Sequence, residues 1–200
     1  MSRDWARTRC DAVLKKGVER GQVLRALGEV FRAHGYEGAS LTLITEATGL
    51  GKGSLYHLFP GGKEQMAAEV MADIDAWFEL NIYAPLREAS DPARAIAAMI
   101  AGVDQYFHSG DRVCLVGLVA LGSARDTFAE AVDDYFARWQ AALVSLLRRS
   151  GLSRSQAQRR AEDALLTIQG ALVLARARND GGIFRRALSD LTARLLAPPE

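Results

Sequence analysis

The chain has 200 residues, a formal net charge of +1, 49% hydrophobic and 24% charged residues, and two cysteines. That length suffices for one large or two small domains with ample core. The longest uncharged apolar run, residues 113–122, is far too short to span a membrane, and Cys10 in a basic arm with Cys114 in an apolar run gives no disulfide framework.

The first 17 residues carry Arg3, Arg7, Arg9, Lys15 and Lys16 with little periodicity and no apolar stretch of the kind a secretory signal needs. They read as a basic, solvated, mobile arm (1–17), and the whole as a cytoplasmic protein without membrane association. Charge is unevenly spread: residues 1–63 hold ten Lys/Arg against six Asp/Glu, the remainder fifteen against eighteen. A basic first third on an acidic body is the footprint of a phosphate-facing module joined to a domain with another task.

Residues 22–34 place Val23, Leu27, Val30 and Phe31 at helical spacing, with Ala26 beside them. Gly35, Tyr36, Glu37 and Gly38 then turn the chain into Ser40, whose hydroxyl is suited to cap the next helix. That helix, residues 41–48, carries Leu41, Ile44, Ala47 and Thr48 on one stripe and ends at Gly49, where a left-handed conformation costs little. A second short helix follows from about Gly51 to Phe59, with Leu55, Leu58 and Phe59 inward and Lys52, Gly53, Ser54, Tyr56 and His57 outward. Helix, glycine-containing turn, helix is the arrangement that lays a second helix in the DNA major groove. The outward set supplies a cation, a glycine permitting close approach, and side chains that hydrogen-bond phosphates or base edges.

The ordered series Phe31, Gly35, Tyr36, Ser40, Ile44, Gly49, Leu50, then Gly51 to Phe59 and Lys63 resembles the DNA-binding part of the TetR family of transcriptional regulators. Phe59, Pro60, Gly61, Gly62, Lys63, Glu64 and Gln65, with residues 114–121 and 170–177, resemble the family's LmrA/YxaF-like branch. Two departures stand out. Gly51 replaces the usual capping serine, which costs a few tenths of a kcal/mol, and Leu58 replaces the usual His or Tyr. The resemblance implies an all-α fold: an N-terminal three-helix DNA-binding domain with the helix-turn-helix (18–62) and a C-terminal helical ligand-binding and dimerisation domain (63–200). It implies a repressor that binds a double-stranded palindromic operator as a homodimer and is released by a small, largely apolar or aromatic effector. Arg20, Thr42, Lys52, Ser54, Tyr56 and Lys63 would meet the DNA backbone, and Gly53 and His57 would approach the bases.

Beyond residue 63 the pattern stays helical, near 63–83, 92–107, 113–121, 125–150, 154–178 and 183–196. Pro85, Asp91 with Pro92, Ser109 to Asp111, Gly151 with Ser153, and Asn179 to Gly182 punctuate it. Aromatic residues concentrate here, and Trp77, Tyr106, Phe107, Cys114 and Trp139 are the candidate lining of the effector pocket that the resemblance implies. Ala164, Ile168, Ala171 and Ala175, with Phe184, Leu188, Leu191 and Leu195, form two stripes, which the resemblance assigns to the dimer interface. His34, His57 and His108 lie in separate elements and not in metal-ligand order, so no metal or other cofactor is expected. No nucleophile–base pair appears, and an enzyme is not expected. Two alternatives fit the same sequence: a constitutive DNA-binding protein that recruits a protein partner, and a helical small-molecule-binding protein or enzyme keeping a helix-turn-helix corner.

Overall fold

The computed structural model describes residues 20–198, so the expected arm at 1–17 lies outside the described residues. Among those residues the chain is helical with no strand, as the all-α expectation requires. We number the α-helices α1 (Arg20–Gly38), α2 (Leu41–Thr48), α3 (Lys52–Leu58), α4 (Gly62–Phe78), α5 (Ala84–Glu88), α6 (Pro92–Tyr106), α7 (Leu115–Leu121), α8 (Ala129–Arg149), α9 (Arg154–Arg178) and α10 (Gly181–Leu196). A π-helical turn, Glu79–Tyr83, joins α4 to α5, and short 3-10 turns occupy His108–Gly110 and Ser123–Arg125. Two compact units emerge. Among the described residues the first comprises 20–74 with Leu118–Phe128, the second Asp75–Gly117 with 129–198.

The first unit forms where the sequence places its stops. Gly35 adopts φ 69° and interrupts α1. The Ser40 hydroxyl accepts from the Leu43 amide at 3.3 Å, and Gly49 at φ 68° ends α2 while its N–H reaches Thr45 O. Val23, Leu27, Phe31, Ile44, Leu55, Phe59, Met66 and Val70 are buried. A β-carbon on Gly28 would lie 3.5 Å from Val70 Cγ1, so α1 and α4 approach closely there. Two inward assignments need correction: Ala47 is exposed, because only Ile44 of α2 is buried, and Leu58 is only half-buried at the end of α3.

In the second unit, α9 packs against α8 and α10, and α10 also packs on α6. Asp91 caps α6 ahead of Pro92, and Ser153 opens α9 with a reciprocal capping box to Gln156. Gly110, at φ 100°, would put a β-carbon 2.8 Å from Phe184 Cβ, so that turn tolerates no side chain. At the core the Phe78 ring lies within 4.9–6.2 Å of Tyr83, Tyr106, Phe107, Tyr135 and Trp139.

Residues 63–83 were expected to form one regular helix stopping before Pro85, but the α-helical register ends at Phe78 and the chain stays helical past the proline. The π turn explains this. Proline's ring clashes with a carbonyl four residues back in a regular helix, whereas here Ala84 N–H bonds Glu79 O, five back, and the wider turn opens that space. Asn81 Nδ2 donates to Trp77 O and the buried Tyr83 hydroxyl to Tyr135 O, at 2.8 and 3.0 Å. Arg138 joins Asp75, Glu79 and Asp134, and Arg87 pairs with Glu79.

The hydrogen bond from Arg87, with a further one from Arg138, holds the Glu79 carboxyl below the usual carboxylate range. A depressed carboxyl contributes stability above its unfolded value and loses it as pH falls through the folded one. Glu79→Gln is therefore expected to be about 1 kcal/mol less stable than wild type at pH 7. The gap should begin to narrow below about pH 4, where the unfolded chain's glutamate protonates, and close only below the lowered folded value. Urea unfolding at pH 7 and pH 3.5 measures this, and a gap independent of pH would count against the ion-pair account.

Candidate nucleic-acid interface

α3 is held by Leu55 and Phe59, both buried, which turns its other face outward. Lys52, Gly53, Tyr56 and His57 are exposed and Ser54 half-buried, so five of the predicted DNA-facing residues gather on one short helix. Gly51 caps α3 with no side-chain hydrogen bond, as its missing hydroxyl requires. A β-carbon on Gly53 would meet nothing within 4 Å, so the chain's own packing does not demand glycine there. The Tyr56 ring is 47% exposed, with Cε1 3.6 Å from where a Gly62 β-carbon would be, at the start of α4. Thr42 is exposed on α2.

The remaining predicted contacts, Arg20 and Lys63, are already engaged. The Arg20 guanidinium pairs with Glu69 and lies 4.8 Å over the Phe59 ring, so it also braces the helix-turn-helix. Lys63 Nζ sits 4.6 Å over the Tyr36 ring and donates to Glu37 O at 3.3 Å. Tyr36 stacks on Phe31 and meets the Phe128 ring edge-on at 5.4 Å, while the Ser123 hydroxyl donates to the Glu37 carboxylate. That hydrogen bond, aided by the nearby Lys63, keeps the Glu37 carboxyl below its usual range. The Ser123 and Phe128 contacts could not be read ahead of the structure, because neither residue lies on a periodic stripe that points to residue 36 or 37.

In the second unit Trp77, Tyr106, Phe107 and Trp139 do come together around Phe78, with Trp77 and Tyr106 at 4.5 Å and Tyr106 and Phe107 at 5.0 Å. Phe107, Trp139 and Cys114 are buried, Trp77 and Tyr106 partly exposed. Trp139 Nε1 and Gln169 Nε2 are buried without a hydrogen-bond partner. The Tyr135 hydroxyl has the Cys114 thiol as its polar neighbour, and burial pushes its pKa well up. A β-carbon on Gly117 would stand 3.0 Å from Gln169 Oε1 and 3.6 Å from Cys114 Sγ, which ties these groups to α7.

The expected dimer stripes are corrected by their burial. Ala164, Ile168, Ala171, Ala175, Phe184, Leu188, Leu191 and Leu195 are all at most 5% exposed within a single chain. They are the seam between α9 and the rest of its own unit, closed to a second chain. α9 turns a different apolar stripe to solvent: Leu166, Val173 and Leu174 are exposed, and Gly170 has nothing within 4 Å of its β-carbon position.

Comparison with known proteins agrees with the all-helical fold. Residues 23–70 match the family of bacterial regulatory proteins designated tetR, and residues 92–189 match the C-terminal domain of LmrA/YxaF-like transcriptional regulators. The HTH-type transcriptional regulator LmrA of Bacillus subtilis is 30% identical over 162 residues, covering 79% of this chain and 86% of LmrA. A TetR-family regulator from Agrobacterium tumefaciens superposes with a TM-score of 0.75 at 22% identity, over 88% of this chain and 97% of that one. A cysteine mutant of the TetR-family regulator CifR, solved with 26-base-pair double-strand operator DNA, superposes with a TM-score of 0.72 at 25% identity, over 90% and 97% of the two chains.

Proposed function

Since the chain belongs to the TetR family of transcriptional regulators, with a C-terminal domain of the LmrA/YxaF-like kind, we propose that this DNA-binding regulator is a homodimeric repressor that a small, largely apolar ligand releases from a palindromic operator. The observation that carries the DNA surface is α3, where Lys52, Gly53, Tyr56 and His57 crowd one exposed face. Lys52 and Lys63 neutralise phosphates, Tyr56 and Ser54 donate to phosphate oxygens and fix register, Thr42 and Arg20 touch backbone on either side, and Gly53 lets His57 approach the base edges. Two-fold symmetry brings a second α3 to the next half-site, about one helical turn away. The exposed α9 stripe of Leu166, Gly170, Val173 and Leu174 is the face that suits a second copy.

A ligand reading draws support from the second unit's buried donors. A buried N–H without a partner costs about 1–3 kcal/mol, and Trp139 Nε1, within the aromatic cluster, and Gln169 Nε2 are two such groups. An apolar ligand bearing an acceptor oxygen would satisfy them. Such a ligand lowers DNA affinity only by its preference for a DNA-incompetent conformation. One observation favours the rival reading, a constitutive DNA-binding protein that recruits a partner: Phe107 and Trp139 are 0% exposed and pack directly against other rings.

Fluorescence-anisotropy titration with DNA from upstream of the chain's own gene tests both layers. Tyr56→Ala and Lys52→Ala are each expected to weaken binding about tenfold, and Gly53→Leu to weaken it further while circular dichroism stays unchanged. Wild-type affinity in all three would reject α3 as the reading surface. Release of the wild type by one member of a panel of aromatic carbonyl compounds supports the sensor, and insensitivity to the whole panel supports the rival.

A further inference from the structure

The Leu118–Phe128 segment joins the first unit although it follows α6 in sequence, and a helix-turn-helix has no need of it. Its two attachments land on neighbouring residues: Phe128 on the Tyr36 ring and the Ser123 hydroxyl on the Glu37 carboxylate. Lys63 meets the same pair, over the Tyr36 ring and bonded to the Glu37 carbonyl. A carbonyl contact leaves the ammonium charge intact, whereas an ion pair with the Glu37 carboxylate would neutralise it. Phosphate contacts act through that charge, each one releasing counterions from the duplex. The carboxylate is fully exposed and near enough to feel Lys63, and an oxygen of it is occupied by Ser123.

We propose that Ser123 is a positioning residue for DNA binding: by holding the Glu37 carboxylate it keeps Lys63 out of an ion pair and open to a DNA phosphate. The Leu118–Phe128 segment thereby tunes the affinity of the helix-turn-helix. The inference rests on Lys63 being a phosphate contact, so the experiment tests that assignment separately. The tether acts on charge, and its signature is the salt dependence of binding.

The probe is one duplex, the tightest recovered from a random-sequence pool by the wild-type protein, titrated by anisotropy at several KCl concentrations. Sedimentation and circular dichroism confirm that each variant keeps its fold and association state. Ser123→Ala is expected to bind about three- to tenfold more weakly, with a log–log salt slope shallower by up to about 0.9 per protomer. Ser123→Thr, which keeps a hydroxyl, should bind as wild type. Glu37→Gln should bind at least as tightly as wild type, and Ser123→Ala with Glu37→Gln should match Glu37→Gln alone. A purely structural role for Ser123 predicts a defect that persists in the Glu37→Gln background, and that result overturns the inference, as does wild-type affinity in Ser123→Ala. Lys63→Ala should itself flatten the slope by about 0.9 per protomer. An unchanged slope there overturns the lysine's assignment to phosphate, a different failure from the first two.

Discussion

Val173→Asp is expected to give a folded chain that no longer self-associates and binds a two-half-site operator at least about 100-fold more weakly. Val173 is 61% exposed on α9, one helical turn from Gly170, beside Leu174 and two turns from Leu166. An aspartate there costs the isolated chain almost nothing, because its carboxylate stays in water. Across a dimer interface the same carboxylate, and its symmetry mate, would be stripped of water, and burying charge at an apolar seam is costly. DNA binding suffers in turn. When two reading heads are joined, the second half-site is bound at an effective concentration that raises avidity about 10²–10⁴-fold over one head. Sedimentation equilibrium and anisotropy on the same sample measure both losses. A dimer that survives the substitution would move the interface off this face.

The contrast with Ile168→Asp shows where the sequence was legible and where it was not. Ile168 is 0% exposed inside a single chain, so that change should unfold the second unit instead of separating chains. Helical spacing singled out Ala164, Ile168, Ala171 and Ala175 correctly as a stripe, but periodicity reports a face and not its partner. α9 is apolar on opposite sides, with alanines packed inward against its own unit and the larger Leu166, Val173 and Leu174 outward, and the stripe of small residues suggested close approach by another chain. The first unit was more readable, because its stops are local chemistry: the Ser40 cap, the left-handed Gly49 and the break at Gly35 each follow from one residue's backbone or hydroxyl. The π turn at Glu79–Tyr83 and the attachment of Ser123 and Phe128 were not readable. Both depend on groups brought together from far along the chain, Tyr135 and Arg138 in one case and Tyr36 and Glu37 in the other. Outward residues of α3 were legible for the opposite reason, since a seven-residue helix anchored by Leu55 has only one way to face.

Phe78→Ala should be the most damaging single truncation in the second unit, costing about 3–5 kcal/mol in urea unfolding followed by tryptophan fluorescence. The ring is 0% exposed and contacts Tyr83, Tyr106, Phe107, Tyr135 and Trp139 as well as its neighbour Trp77. Its removal takes away both the transfer free energy of the ring and the contacts of every ring around it, and the helices that hold those rings collapse only partly into the space. Phe78→Leu, which keeps much of the volume, should cost well under half as much. The same variant weighs the ligand reading against its rival. A dry apolar cavity of ring size binds small aromatics, so benzene or indole should raise the melting temperature of Phe78→Ala and leave wild type unmoved if the native cluster is closed. A wild type that is stabilised as much as the variant would mean that the ring cluster already opens to admit a flat ligand. In that case a cost for Phe78→Ala near 1 kcal/mol would follow as well, since a core that yields to a ligand also relaxes around a deletion. The two measurements should therefore agree in direction, and a large cost, with the variant rescued and wild type unmoved, would favour the constitutive, partner-recruiting regulator.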